Sequence, residues 1–240
     1  MNAPDTEAAA LRERCRTLLA EGTVQVVVGY GEVLADGGGD VRPVFVTDPA
    51  DVGALVLDRR CRQDLVTYLL RPEVAALGRA AVVVKGCDAR AVAVLVQESQ
   101  LVRDDVHVIG VACDDEGVGA PRCRSCPVRT PRGVDEVAGA LADGPQGADP
   151  GVEPPAAEVP AVEPPEGDRY ARVEEFLRLT PAERLAYWRS EFARCTRCHA
   201  CRQVCPLCYC RVCVVDRSRP QTVPTSAHPV GVLEFHLTRA

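Results

Sequence analysis

The chain has 240 residues, a formal net charge of −6 and thirteen cysteines, which is length enough for one or two domains with a real core. No apolar run reaches the roughly 18 residues of a membrane-spanning helix, and the charged N-terminal stretch MNAPDTEAAALRERC lacks the apolar core of a signal peptide. No membrane-spanning helix is expected, and a reducing cytoplasm is expected, where cysteines bind metals instead of pairing.

Residues 1–141 alternate strand-like and helix-like patterns. A helix is predicted at 8–20, ending at Gly22, then a strand at 23–29, a glycine-rich turn at Gly37-Gly38-Gly39 and a strand at 42–47. Gly29-Tyr30-Gly31 resembles the opening of a dinucleotide fingerprint, but Leu34 stands where the third glycine belongs, so it is read as a turn. A helix follows at 60–70. The clearest unit is AAVVVKGCDARAVAVLVQES followed by VHVIGVAC: Val82–Val84 form a buried strand, Asp88 caps a helix running to about Glu98, and 106–112 return as a parallel strand. Such a β-α-β unit is expected to cross over right-handed. Residues 1–141 are thus predicted to be an α/β domain with a mixed or parallel sheet.

Residues 142–168 hold seven prolines, four glycines and seven acids with no base. Such a stretch builds no core and reads as an extended linker. Residues 169–240 carry twelve arginines against six acids, a charge balance suited to anionic thiolate clusters. The same surplus admits nucleic-acid binding, although several of the aromatics that would stack on bases fall at helical core spacing. Thr180-Pro181-Ala182-Glu183 is a capping box, and Leu185, Trp188 and Phe192 then share one helix face, expected to be core.

Seven cysteines close the pattern, in the run Cys195-x2-Cys198-x2-Cys201-x3-Cys205-Pro206 with Cys208, Cys210 and Cys213 after it. This is bacterial-ferredoxin spacing, in which closely set thiolates reach several corners of a cluster. Structural zinc prefers two separated pairs, and disulfides are disfavoured in the expected compartment. His199, between the cysteines, is read as a neighbour and not a ligand. A second centre is expected in the α/β domain. Cys87 and Cys113 each follow a parallel strand, where open sheets place their ligands, and the Cys123-x2-Cys126 pair comes from the next loop. Zinc at these four, or ordinary burial of Cys87 and Cys113, are the alternatives. Cys15 and Cys61 are expected to be plain packed thiols.

Lys85 is the single lysine among 28 basic side chains. Its place beside Gly86-Cys87-Asp88 suggests that a compact, movable ammonium serves a cluster, a flavin phosphate or a substrate, unless it is a chance survivor.

Together VVVGY at 26–30, RPVFVTDP at 42–49, VVVKGCDARAV at 82–92, VIGVAC at 108–113, the Cys123/Cys126 pair, TPAERLAYW at 180–188, CTRCHACRQVCPLCYCRVCVVD at 195–216 and FHLTRA at 235–240 resemble the deazaflavin-coenzyme hydrogenase/dehydrogenase beta-subunit family, in its iron-sulfur, dicluster-ferredoxin-like form. The resemblance implies an electron-transfer subunit with one to three 4Fe-4S clusters, admits FAD, and implies a catalytic or flavoprotein partner such as a hydrogenase, a formate dehydrogenase or a heterodisulfide-reductase-type enzyme. Members of this form continue into a second ferredoxin motif, whereas this sequence stops at Ala240. In two-cluster ferredoxins the fourth cysteine of each run serves the other cluster. Cys205, Cys208, Cys210, Cys213 or a partner chain is therefore expected to complete the set, with a split gene or truncated product equally open.

Three functions compete on this basis. The first is a cytoplasmic iron-sulfur electron relay without its own catalytic residues. A flavin-dependent oxidoreductase subunit acting on the deazaflavin coenzyme is the second. The third is a zinc-dependent interaction or nucleic-acid module.

Overall fold

The computed structural model describes residues 3–32, 40–113, 118, 120, 123, 126–138, 170–196 and 198–210. The chain divides into two compact units, one taking in Met1–Glu163 and Val204–Leu207, the other Pro164–Gln203 and Cys208–Ala240. The boundary falls inside the acidic proline-rich stretch. The Gly37-Gly38-Gly39 turn and the linker itself lie outside the described residues.

The first unit begins with helix α1 (Ala3–Ala20). Leu11, Cys15 and Leu18 recur at helical spacing and are buried, and Gly22, at φ +71°, takes the left-handed conformation that ends the helix. Strand β1 (Val26–Glu32) pairs antiparallel with β2 (Val41–Val46). Gly29-Tyr30-Gly31 is therefore not a turn but the middle of a strand. Its glycines answer to packing: a Cβ on Gly29 would sit 2.4 Å from Leu55 Cδ2, and one on Gly31 would meet Val44 Cγ1 at 2.6 Å.

The predicted helix at 60–70 is also replaced. Only one short 3-10 turn, Val66–Tyr68, occurs there, because Asp58 and Asp64 turn their carboxylates onto nearby backbone amides, of Arg60 and Val66, and so compete with helical bonding. After the four-residue helix α2 (Pro72–Ala75), β3 (Ala80–Val84), helix α3 (Gly86–Gln97) and β4 (Val106–Gly110) form the predicted β-α-β unit. Strands β1, β3 and β4 run parallel, and a two-residue β5 (Glu136–Val137) joins the far side of β4, also parallel. The sheet order is β2-β1-β3-β4-β5. This is a mixed-sheet α/β fold.

Every residue of β3 is buried, as expected of a strand flanked on both edges and covered on both faces. Each such valine contributes roughly 1.5–3 kcal/mol through burial. Helix α3 packs on β3 and β4 through Ala89, Val92 and Leu95. Its start lies two residues before Asp88. Asp88 therefore caps from inside the first turn, its Oδ2 accepting the Lys85 backbone N–H at 3.3 Å.

The second unit contains α4 (Ala171–Arg178), α5 (Pro181–Ala193) and α6 (Ala200–Val204) up to Gln203, while Val204–Leu207, with Cys205, group with the first. The capping box forms as predicted: Thr180 Oγ1 accepts from Glu183 N at 3.3 Å and Glu183 Oε2 accepts from Thr180 N at 2.7 Å. The aromatic stripe differs from expectation. Leu185, Tyr187 and Trp188 are exposed, and the rings pack among themselves, with Phe176 edge-on to Tyr187 and Trp188 and Trp188 stacked on Phe192 at 5.5 Å. Two short helices of 8 and 13 residues bring these rings into contact without burying them. Among the described residues, no helix is long and apolar enough to cross a membrane.

Candidate metal centre

At the carboxyl end of the sheet, one pocket is lined by Lys85, Cys87, Cys113, Val118, Cys123, Cys126, Val128 and Arg129. The four thiols predicted to converge in the first unit share its wall. Cys87 is the second residue of α3, delivered directly by β3. Cys113 follows β4, where Val111 N–H still bonds to Val84 C=O at 2.8 Å and Cys113 N–H bonds to Arg129 C=O at 2.9 Å. Cys126 is tied to Cys123 by an N–H···O bond of 3.2 Å, and its Sγ lies 3.6 Å from Val128 C=O.

Two glycines let the 126–131 segment close over the strand ends. A Cβ on Gly86 would stand 2.4 Å from the Val128 carbonyl oxygen, and one on Gly110 would stand 2.6 Å from Pro131 Cγ. Only bare backbone admits that approach. Sequence reasoning did not mark these glycines or β5, although a glycine between a buried valine strand and a cysteine was a usable signal.

The thiols feel one another. Burial raises the Cys113 pKa, Lys85 opposes the rise, and Asp88, Cys123 and Cys126 add to it. Cys87 is exposed on one side, yet partial burial and then the adjacent Asp88 carboxylate push it up to about 12. Asp88 Oδ1 accepts its S–H at 3.2 Å. Cys87 and Cys113 thus resist ionising, and a bound metal's positive charge reverses that balance.

Lys85 is buried and fully hydrogen-bonded. Lys85 and Asp88 are each 3% exposed. The Lys85 ammonium donates to Asp88 Oδ2 at 2.7 Å, to Gln63 C=O at 3.1 Å and to the Tyr30 hydroxyl, which itself donates to Gln63 C=O. It also lies 4.8 Å from the centroid of the Tyr30 ring. An ammonium has three protons to donate, and here all three are engaged, by Asp88, Gln63 and Tyr30. The predicted compact ammonium is present as a fixed buried charge.

Cys15 and Cys61 are buried, as expected of packed thiols. Burial, foremost, carries their pKa values to about 12 and about 11.

In the second unit, Cys195 N–H bonds to Phe192 C=O at 3.0 Å, so the cysteine run leaves the last turn of α5 directly. His199, at φ +60°, turns the chain into α6, which carries Cys201. Cys198, Cys201 and Cys210 are exposed, and Cys195, Cys205 and Cys208 half-buried. The Ala200 backbone N–H and then Thr196 lower the Cys198 pKa. Cys213 lies outside the described residues.

The twelve described cysteines are all free thiols. Among the described residues, no three His, Cys, Asp or Glu side chains are placed to hold one metal ion; in the first unit the four thiols line a pocket wall. No family model matches the chain.

Proposed function

We propose that the chain is an iron-sulfur electron-transfer subunit of a cytoplasmic oxidoreductase complex, related to the dicluster form of the deazaflavin-coenzyme beta-subunit family. The observation that carries this reading is the convergence of Cys87, Cys113, Cys123 and Cys126, from three separate segments, on one pocket. An all-thiol set of four suits a soft-metal centre. Four thiols drawn from three segments to one pocket match the usual iron-sulfur shell, and zinc at the same four positions is the alternative. The ferredoxin-spaced run Cys195, Cys198, Cys201 and Cys205 supplies a second all-thiol set, with Cys208, Cys210 and Cys213 in reserve.

A 4Fe-4S cluster would supply reversible one-electron transfer at each site. The chain's own residues do the rest. The backbones of β3 and β4 hold two sulfurs in place, the glycine-admitted 126–131 segment brings in a third, Val118 and Val128 limit water, and Lys85 and Asp88 provide buried charge. Each electron comes from a reduced flavin or cluster of a partner subunit and leaves to an oxidised acceptor of that complex.

Purification without oxygen, with iron and acid-labile sulfide analysis and electron paramagnetic resonance, tests the reading. Matching iron and sulfide with a reducible signal is expected. Zinc without sulfide contradicts it.

A further inference from the structure

The Lys85–Asp88 pair has a part beyond holding the fold. This inference rests on the cluster reading above. Both groups are cut off from solvent, and an ion pair so buried is screened little by water or salt. The pair is also oriented. Lys85 lines the thiol pocket and Asp88 does not, while the Asp88 carboxylate touches the site at Cys87, 3.2 Å from its sulfur. Tyr30 and the Gln63 carbonyl prevent the ammonium from swinging away. Among 28 basic side chains, the one lysine stands here.

We propose that the Lys85–Asp88 ion pair sets the reduction potential of a centre held by Cys87, Cys113, Cys123 and Cys126, the ammonium raising it and the carboxylate lowering it. Four thiolates give such a centre a net negative charge, and one added electron makes it more negative. A fixed positive charge stabilises the reduced form, whereas a fixed negative charge disfavours it. The two halves of one ion pair therefore act in opposite directions. Tyr30 is a positioning residue that holds the ammonium at the wall.

The test is a redox titration followed by electron paramagnetic resonance. It uses the full chain with Cys195, Cys198, Cys201, Cys205, Cys208, Cys210 and Cys213 all changed to Ser, so that the signal comes from the first unit. Iron and sulfide are assayed in each sample. Lys85→Met is expected to lower the midpoint potential and Asp88→Asn to raise it, with the double variant between them and the shifts persisting at high salt. If Lys85→Met fails to fold, Asp88→Asn and the double variant decide the matter, since neither leaves a lone buried carboxylate. Clusters present in all samples with unchanged potentials, or with both single variants shifted the same way, overturn the inference and leave the cluster reading standing. Absence of iron and sulfide from the parent chain overturns the cluster reading and this inference with it.

Discussion

The two cysteine sets of this chain are built by opposite means. In the second unit the thiols are close in sequence and set on a turn and a five-residue helix, α6. In the first unit they are distant in sequence and brought together by a parallel sheet, two close-approach glycines and a returning edge strand. A local site depends on its own spacing and is open to solvent. A site gathered by the fold depends on everything beneath it, and has buried charge at hand.

Thiol reactivity breaks the comparison most sharply. In the metal-free chain at about pH 8, Cys198, exposed and with a lowered pKa, is expected to alkylate first. Cys15, buried with a pKa of about 12, is expected to react only on unfolding. A larger thiolate population and open access both favour Cys198. Mass-mapped alkylation over time checks the order, and early labelling of Cys15 would contradict the packing described.

Lys85→Met comes next. It strands the Asp88 carboxylate in the interior and is expected to cost about 3–5 kcal/mol, the usual penalty for removing one partner of a buried pair. Denaturant unfolding should show the loss in the sheet unit, while the Cys195–Cys205 run still binds iron. An equal loss of iron from both sites would erase the distinction between them.

Gly86→Val is a smaller perturbation aimed at assembly. Its side chain would collide with the Val128 carbonyl, whose oxygen stands 2.4 Å from the Cβ position, at a cost of about 1–3 kcal/mol. The expected outcome is loss of the first unit's iron with near-normal far-ultraviolet circular dichroism. Retention of that iron would show that the 126–131 segment need not lie against α3.

These contrasts also explain what the sequence could tell. Spacing alone marked Cys195, Cys198 and Cys201, and strand-end topology predicted the meeting of Cys87 with Cys113, because a β-α-β unit places successive strand ends side by side. Gly29-Tyr30-Gly31 was misjudged because a glycine that makes room for Leu55 looks the same in sequence as one that makes a turn. The fixed state of Lys85 was illegible, since Tyr30 and Gln63 reach it from far along the chain. Exposure of the Trp188 face could not be foreseen either: a helical apolar stripe records that a face is apolar, not what covers it.

The smallest expected effect concerns the edge that closes the first site. Glu136 on β5 is bonded to His107 on β4 and to Arg14 on α1. Burial raises its pKa, but the His107 and Arg14 hydrogen bonds outweigh burial and hold it below the ordinary carboxylate value. A depressed carboxylate stabilises the fold above its unfolded pKa of about 4.3, and the contribution is lost as pH falls through the lower folded value. Glu136→Gln should thus lower stability by about 1 kcal/mol or less at pH 7 and by less still at low pH. Thermal melts at the two pH values check the sign.

The most direct measurement is iron and acid-labile sulfide in the anoxically reconstituted full chain, before and after Cys87 and Cys126 are both changed to Ser, in a background where Cys195, Cys198, Cys201, Cys205, Cys208, Cys210 and Cys213 are already Ser. The account predicts about four irons and four sulfides per chain, as in a 4Fe-4S centre, falling to near zero with the two further substitutions. Full retention of iron and sulfide after those substitutions, or zinc without sulfide before them, would contradict it.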